Sequence, residues 1–99
     1  MKQRWYDKDP TVSLAVSLLK NSSTKQKILA ANGIIKIAKE NRVEIPSGFF
    51  SKLNKTFKRW YDEDKILSEA MEYLLHSSAE LRKEISIDVI QLLESAEYI

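Results

Sequence analysis

The chain has no cysteine, which excludes disulfides, thiolate metal ligands and a cysteine nucleophile, and agrees with a reducing compartment. It has only two glycines and two prolines, too little punctuation for the many tight turns of an all-β chain, so helices are expected. His76 is the single histidine, and no GxSxG, P-loop or glycine-rich phosphate cradle is present. Long apolar runs are missing as well. The longest, Ile28 to Ala38, is broken by Asn32, Gly33 and Lys36 and is too short to span a bilayer. The opening Met1-Lys2-Gln3-Arg4-Trp5-Tyr6-Asp7 is charged where a secretory signal needs an apolar run. These absences lead us to expect a cytoplasmic protein that is not an enzyme, with no cofactor, no metal site, no catalytic residues and no membrane partner.

What is there supports folding. Hydrophobic residues make up 43% and charged residues 30% of the chain, too apolar for disorder and sufficient for one domain over residues 1–99. The chain also repeats itself. Arg4-Trp5-Tyr6-Asp7 returns as Arg59-Trp60-Tyr61-Asp62, and sliding residues 4–39 onto 59–94 gives 11 identities in 36 ungapped positions, against about two or three expected by chance. Asp9 meets Asp64, Ser13 Ser68, Ala15 Ala70, Leu19 Leu74, Ser22-Ser23 Ser77-Ser78, and Ile35 Ile90. A duplicated unit is expected, and repeated helical units usually build surfaces by stacking.

Asp9-Pro10 is a helix start, a capping oxygen followed by proline at the first helical position, and it predicts a helix from Pro10 to about Lys20. Val12, Ala15, Val16 and Leu19 form its apolar stripe, with Leu14 and Leu18 widening it. Ser23 with Gln26 forms a capping box for a second helix, Thr24 to about Asn41, with Ile28, Ala31, Ile34, Ile35 and Ala38 inward. Gly33 in its middle suggests close approach of another helix. Pro46 and Gly48 mark a linker, and with the connecting helix it occupies 43–58; Phe49 to Tyr61 reads as the third helix. Asp64 opens the fourth, with Leu67, Ala70, Met71 and Leu74 inward and Ile66 and Tyr73 alongside. Ser77 with Glu80 suggests a capping box for the fifth, Ala79 to about Glu94, with Leu81, Ile85, Val89, Leu92 and Leu93 buried. The expected fold is all-α: about five helices, two homologous helical hairpins joined by a connecting helix.

Asp9-Pro10-Thr11-Val12 followed by Ala15 and Leu18-Leu19 resembles the outer helix of a HEAT or armadillo repeat, and Ser78-Ala79-Glu80-Leu81-Arg82-Lys83-Glu84-Ile85 with Ile90 is similar to a HEAT inner helix. The resemblance covers most of Arg4 to Ser95 outside the linker and third helix. It implies a superhelical, protein-binding adaptor without catalysis. The extra helix between the units, and two units where a stable solenoid needs about three, leave a compact closed bundle as the alternative.

Charge divides the chain. Met1 to Tyr61 carries 13 Lys and Arg against 4 Asp and Glu, a net +9, while Asp62 to Ile99 carries 3 against 10, a net −7. Such a dipole steers partners or promotes head-to-tail self-association, unless neighbouring helices of opposite sign neutralise one another. Three functional readings follow. In an interaction module, exposed Trp5 and Tyr6 are the candidate partner-binding residues; the simpler account has each Arg-Trp-Tyr-Asp packing over its own helical pair. In a small nucleic-acid-binding protein, Lys52, Lys55, Lys58 and Arg59 of the third helix meet phosphates, although its aromatics at helical spacing also fit a core. In a homo-oligomer the basic and acidic halves pair. Glu80, Glu84 and Asp88 fall on successive turns, where a solvated helix face fits better than a metal site, and His76 fits a helix-terminal cation near the macrodipole.

Overall fold

Asp9 and Asp64 start helices in the same way. The structure, a computed structural model, describes residues 5–45 and 64–96. A short 3-10 helix, Trp5–Asp7, precedes α1 (Pro10–Lys20), α2 (Thr24–Glu40), α3 (Lys65–Leu75) and α4 (Ala79–Ala96). All regular structure among the described residues is helical. The expected connecting helix, Phe49 to Tyr61, lies outside them. Asp9 has extended backbone and its Oδ1 accepts the Thr11 N–H at 2.8 Å, with Pro10 next in the chain. Asp64 Oδ1 accepts from Ile66 N at 2.9 Å and Leu67 N at 3.2 Å. Each aspartate satisfies backbone donors that have no intrahelical partner.

The turns that join α1 to α2 and α3 to α4 match bond for bond. Ser22 Oγ donates to the Leu18 carbonyl at 2.6 Å, and Ser77 Oγ to the Tyr73 carbonyl at 2.8 Å. Ser23 Oγ accepts from Gln26 N at 3.2 Å while Gln26 Oε1 accepts from Ser23 N at 3.3 Å, the expected capping box. In the second turn the cap is Ser78, whose Oγ accepts from Leu81 N at 3.2 Å. This corrects the Ser77–Glu80 expectation. Ser77 is occupied with the preceding helix, and the cap falls 55 residues after Ser23, where Leu81 has no side-chain acceptor to complete a box. Helix α2 ends with Arg42 at φ 61°, bonds running from Arg42 N to Lys39 O and from Val43 N to Ala38 O, each at 3.0 Å. These are the paired bonds of a Schellman motif.

Burial follows the same spacing. Val12, Ala15, Val16 and Leu19 are buried in α1, and their counterparts Leu67, Ala70, Met71 and Leu74 in α3. Ala30, Ala31, Ile34 and Ala38 are buried in α2, and Ile85, Ser86, Val89 and Leu93 in α4. The α1 and α3 stripes are those the periodicity predicts. The second helix is rotated slightly from expectation, with Ala30 inside and Ile28 and Ile35 half-buried. Leu14 is 49% and Ile66 39% exposed, so the buried arc is narrower than the apolar arc. Nothing lies within 4 Å of where a Cβ on Gly33 would sit; no helix makes the close approach expected there.

The main packing runs between the halves of the chain. Helix α1 lies chiefly on α4, α2 lies chiefly on α3, and α2 also meets α4, while α1 with α2 and α3 with α4 touch far less. All four helices and Tyr6 feed one core, so neither half contains the partner for its own apolar face. Ser86, fully buried in this core, leaves its hydroxyl without a hydrogen-bond partner, a destabilising feature that its counterpart Ala31 lacks.

Candidate functional site

At 100° per residue, a spacing of four, three, four and three keeps side chains on one stripe. On α2 the stripe is Lys25, Leu29, Asn32, Lys36 and Lys39; on α4, 55 residues later, it is Glu80, Glu84, Ile87, Gln91 and Glu94. All ten side chains are exposed. Each stripe lies opposite the buried face of its helix, and each holds one large aliphatic residue in the open, Leu29 at 55% and Ile87 at 44%. The described ion pairs are Lys83 with Asp9 at 3.7 Å and His76 with Glu72 at 3.0 Å. None of the six charges on the stripes pairs with a described residue. One stripe is therefore cationic and the other anionic, and each includes one exposed aliphatic side chain.

Trp5 and Tyr6, the residues expected to anchor a partner, are packed against the bundle. Tyr6 is 6% exposed and belongs to the core. Trp5 is half-buried and meets Tyr6 edge to face, ring centroids 5.2 Å apart. The Arg82 guanidinium lies over its ring, 5.6 Å from the centroid. Arg82 Nε donates to the Leu74 carbonyl at 3.2 Å and Nη2 to the Leu75 carbonyl. One side chain thus closes the C-terminal end of α3 and covers an indole. The Trp5 indole N–H is buried and makes no hydrogen bond. Trp5 and Tyr6 thus pack on the bundle, and Trp5 meets Arg82 of the other helical pair, where the simpler account had it over its own.

An open groove of about 230 Å³ runs between Tyr6 and Asp7 on one side and Ser13, Ser17, Lys20 and Asn21 on the other. Its polar groups are partly committed, since Asn21 Nδ2 donates to the Ser17 carbonyl at 2.9 Å. His76 caps α3 with its backbone N–H on the Glu72 carbonyl, and its ring Nε2 meets the nearly buried Glu72 carboxylate at 3.0 Å. This pair lies one turn apart on a single helix, where the imidazole satisfies the carboxylate. Glu80, Glu84 and Asp88 are exposed, and among the described residues no three His, Asp or Glu side chains are grouped to hold a metal ion. Lys52, Lys55, Lys58 and Arg59 lie outside the described residues. No family model, curated protein or solved structure matches this chain.

The sequence reading missed the cationic stripe of α2. Its signal was present in the spacing of Lys25, Lys36 and Lys39, but Leu29 passes for a core residue until the rotation of the helix is known.

Proposed function

We propose that this protein is a non-catalytic interaction module that presents the outer faces of α2 and α4. The observation that carries the reading is Leu29, 55% exposed, and Ile87, 44% exposed, the first on a stripe with Lys25, Lys36 and Lys39 and the second on a stripe with Glu80, Glu84 and Glu94, charges without partners among the described residues. An exposed aliphatic side chain on a stripe that carries charge of one sign gives a partner both apolar burial and orientation. For the architecture we propose two duplicated units closed on each other. A HEAT solenoid packs the two helices of each unit together and stacks like helices of successive units; packing of α1 on α4 and α2 on α3 favours the compact bundle. No described helix is long and apolar enough to cross a membrane, and the reading takes the protein to be cytoplasmic.

The unpaired Lys25, Lys36 and Lys39 favour a second reading, phosphate binding, with Lys52, Lys55, Lys58 and Arg59 as its further candidates. The experiment is fluorescence anisotropy of labelled single- and double-stranded oligonucleotides at about 50 and 200 mM salt, beside affinity capture on the immobilised chain. The module reading expects no salt-sensitive oligonucleotide binding, and capture of a protein that is lost in Leu29→Asp and Ile87→Asp variants. Steeply salt-dependent oligonucleotide binding, abolished in a helical Lys55→Glu, Lys58→Glu variant, would replace it with the nucleic-acid reading.

A further inference from the structure

We infer that the partner of the α2 outer face is the α4 outer face of a second copy of this chain, docked antiparallel and head to tail. The inference rests on the interaction-module reading and names its partner. The two stripes span equal lengths, about 21 Å at the helical rise, because the last residue of each lies 14 positions after the first, Lys25 to Lys39 and Glu80 to Glu94. Laid antiparallel, Lys25 faces Glu94, Lys36 faces Glu84 and Lys39 faces Glu80, so every charge on one stripe meets its opposite. Leu29 then falls opposite Gln91, one turn from Ile87, which faces Asn32, and the two exposed aliphatic side chains become diagonal neighbours at the centre. The parallel alignment is poorer. It sets Leu29 against the Glu84 carboxylate and Lys36 against Gln91, with only two charge pairs left.

The same chain cannot satisfy itself. Both stripes lie opposite the buried faces of α2 and α4, and those buried faces meet in the core, so the outer faces of one molecule point away from each other. The contact uses different surfaces on the two copies, so each dimer keeps one cationic and one anionic face open, and association continues to a ring or an open filament. One helix face on another buries less than a standard interface, and the expected affinity is micromolar and falls with salt as exposed charge pairs are screened.

The test is sedimentation velocity of the full chain, with circular dichroism to confirm folding. The wild-type protein is expected to show a mass that rises with concentration at about 50 mM salt and returns to monomer at about 500 mM. A Lys36→Glu, Lys39→Glu variant and a Glu80→Lys, Glu84→Lys variant should each associate at least tenfold more weakly, roughly the effect of two reversed charge pairs. Mixed in equal amounts they should regain association beyond a dimer, because the unchanged anionic face of one meets the unchanged cationic face of the other and the two reversed faces also carry opposite charge. The chain carrying all four substitutions should regain self-association. A wild-type monomer at low salt, a mixture that fails to dimerise, or association that survives in both variants would overturn the inference. If the wild type is monomeric but captures another protein through Leu29 and Ile87, the self-partner falls and the module reading stands; if it does neither, both fall. Oligonucleotide binding lost in the Lys36→Glu, Lys39→Glu variant, without self-association, would assign the cationic face to a polyanion and overturn the inference as well.

Discussion

At the end of α1, Asn21 sends its side-chain amide to the Ser17 carbonyl; at the end of α3 the equivalent His76 sends its ring to the Glu72 side chain. One residue further on, Ser22 and Ser77 make the same bond to the carbonyl four residues back. The halves agree where backbone groups must be satisfied and diverge where a side chain only has to reach something polar. The rule extends along the helices. Inward positions 55 apart stay apolar or small, while outward positions change sign, Lys25 to Glu80 and Lys39 to Glu94. Since the skeleton tolerates either sign, the sign of the outer faces is free to serve association, and the reversal at these two positions, with Lys36 on one stripe and Glu84 on the other, leaves the two faces with opposite net charge.

Equality of the two cores is the strongest claim in this comparison, and a pair of cavities tests it. Leu19 and Leu74 are equivalent, 1% and 2% exposed, and truncation of either to alanine should destabilise the protein by about 2–5 kcal/mol. We expect the Leu19→Ala and Leu74→Ala losses, measured by urea unfolding, to agree within about 1 kcal/mol. A loss at one site under half of that at the other would mean that one half relaxes around its cavity, and the energetic equivalence would fail.

A smaller effect should separate the halves. Arg82 joins two α3 carbonyls and the Trp5 ring, whereas the side chain of its counterpart Lys27 has no described hydrogen bond or ion pair. Arg82→Ala should cost about 1–3 kcal/mol through lost hydrogen bonds and packing, and Lys27→Ala no more than about 0.5 kcal/mol. Equal small losses would show that the Arg82 contacts add nothing to the bundle.

Much of this fold was legible in the sequence because caps and apolar spacing are local signals. Asp9-Pro10, Ser23 with Gln26, and Asp64 set the helix starts, and the stripes Val12 to Leu19 and Leu67 to Leu74 set the inward faces. Rotation by a few tens of degrees was not legible. Leu14, Leu29, Ile66 and Ile87 are as apolar as their buried neighbours, and only the neighbouring helices determine which aliphatic residues stay outside. Which helices pair was equally hidden, since the spacing that buries α1 against α4 would bury it as well against α2. Tyr6 shows the same limit at the candidate site: its place in a paired motif was visible, while its burial depends on a 3-10 turn that no cap announces.

Gly33 carries the smallest effect and the sharpest sign. A mid-helix glycine costs about 1 kcal/mol relative to alanine, through the backbone entropy lost on folding, and that cost persists when a neighbouring group needs the space. Here nothing occupies the space within 4 Å of an added Cβ, and the equivalent position in α4, Asp88, carries an exposed side chain. Gly33→Ala should therefore stabilise the protein by about 0.5–1 kcal/mol and raise Tm by roughly 2–8 °C for a domain of this size. A fall in Tm would mean that something packs on the glycine after all. The two halves would then differ in shape along α2 and α4, and the shared spacing of their outer stripes would lose its geometric basis.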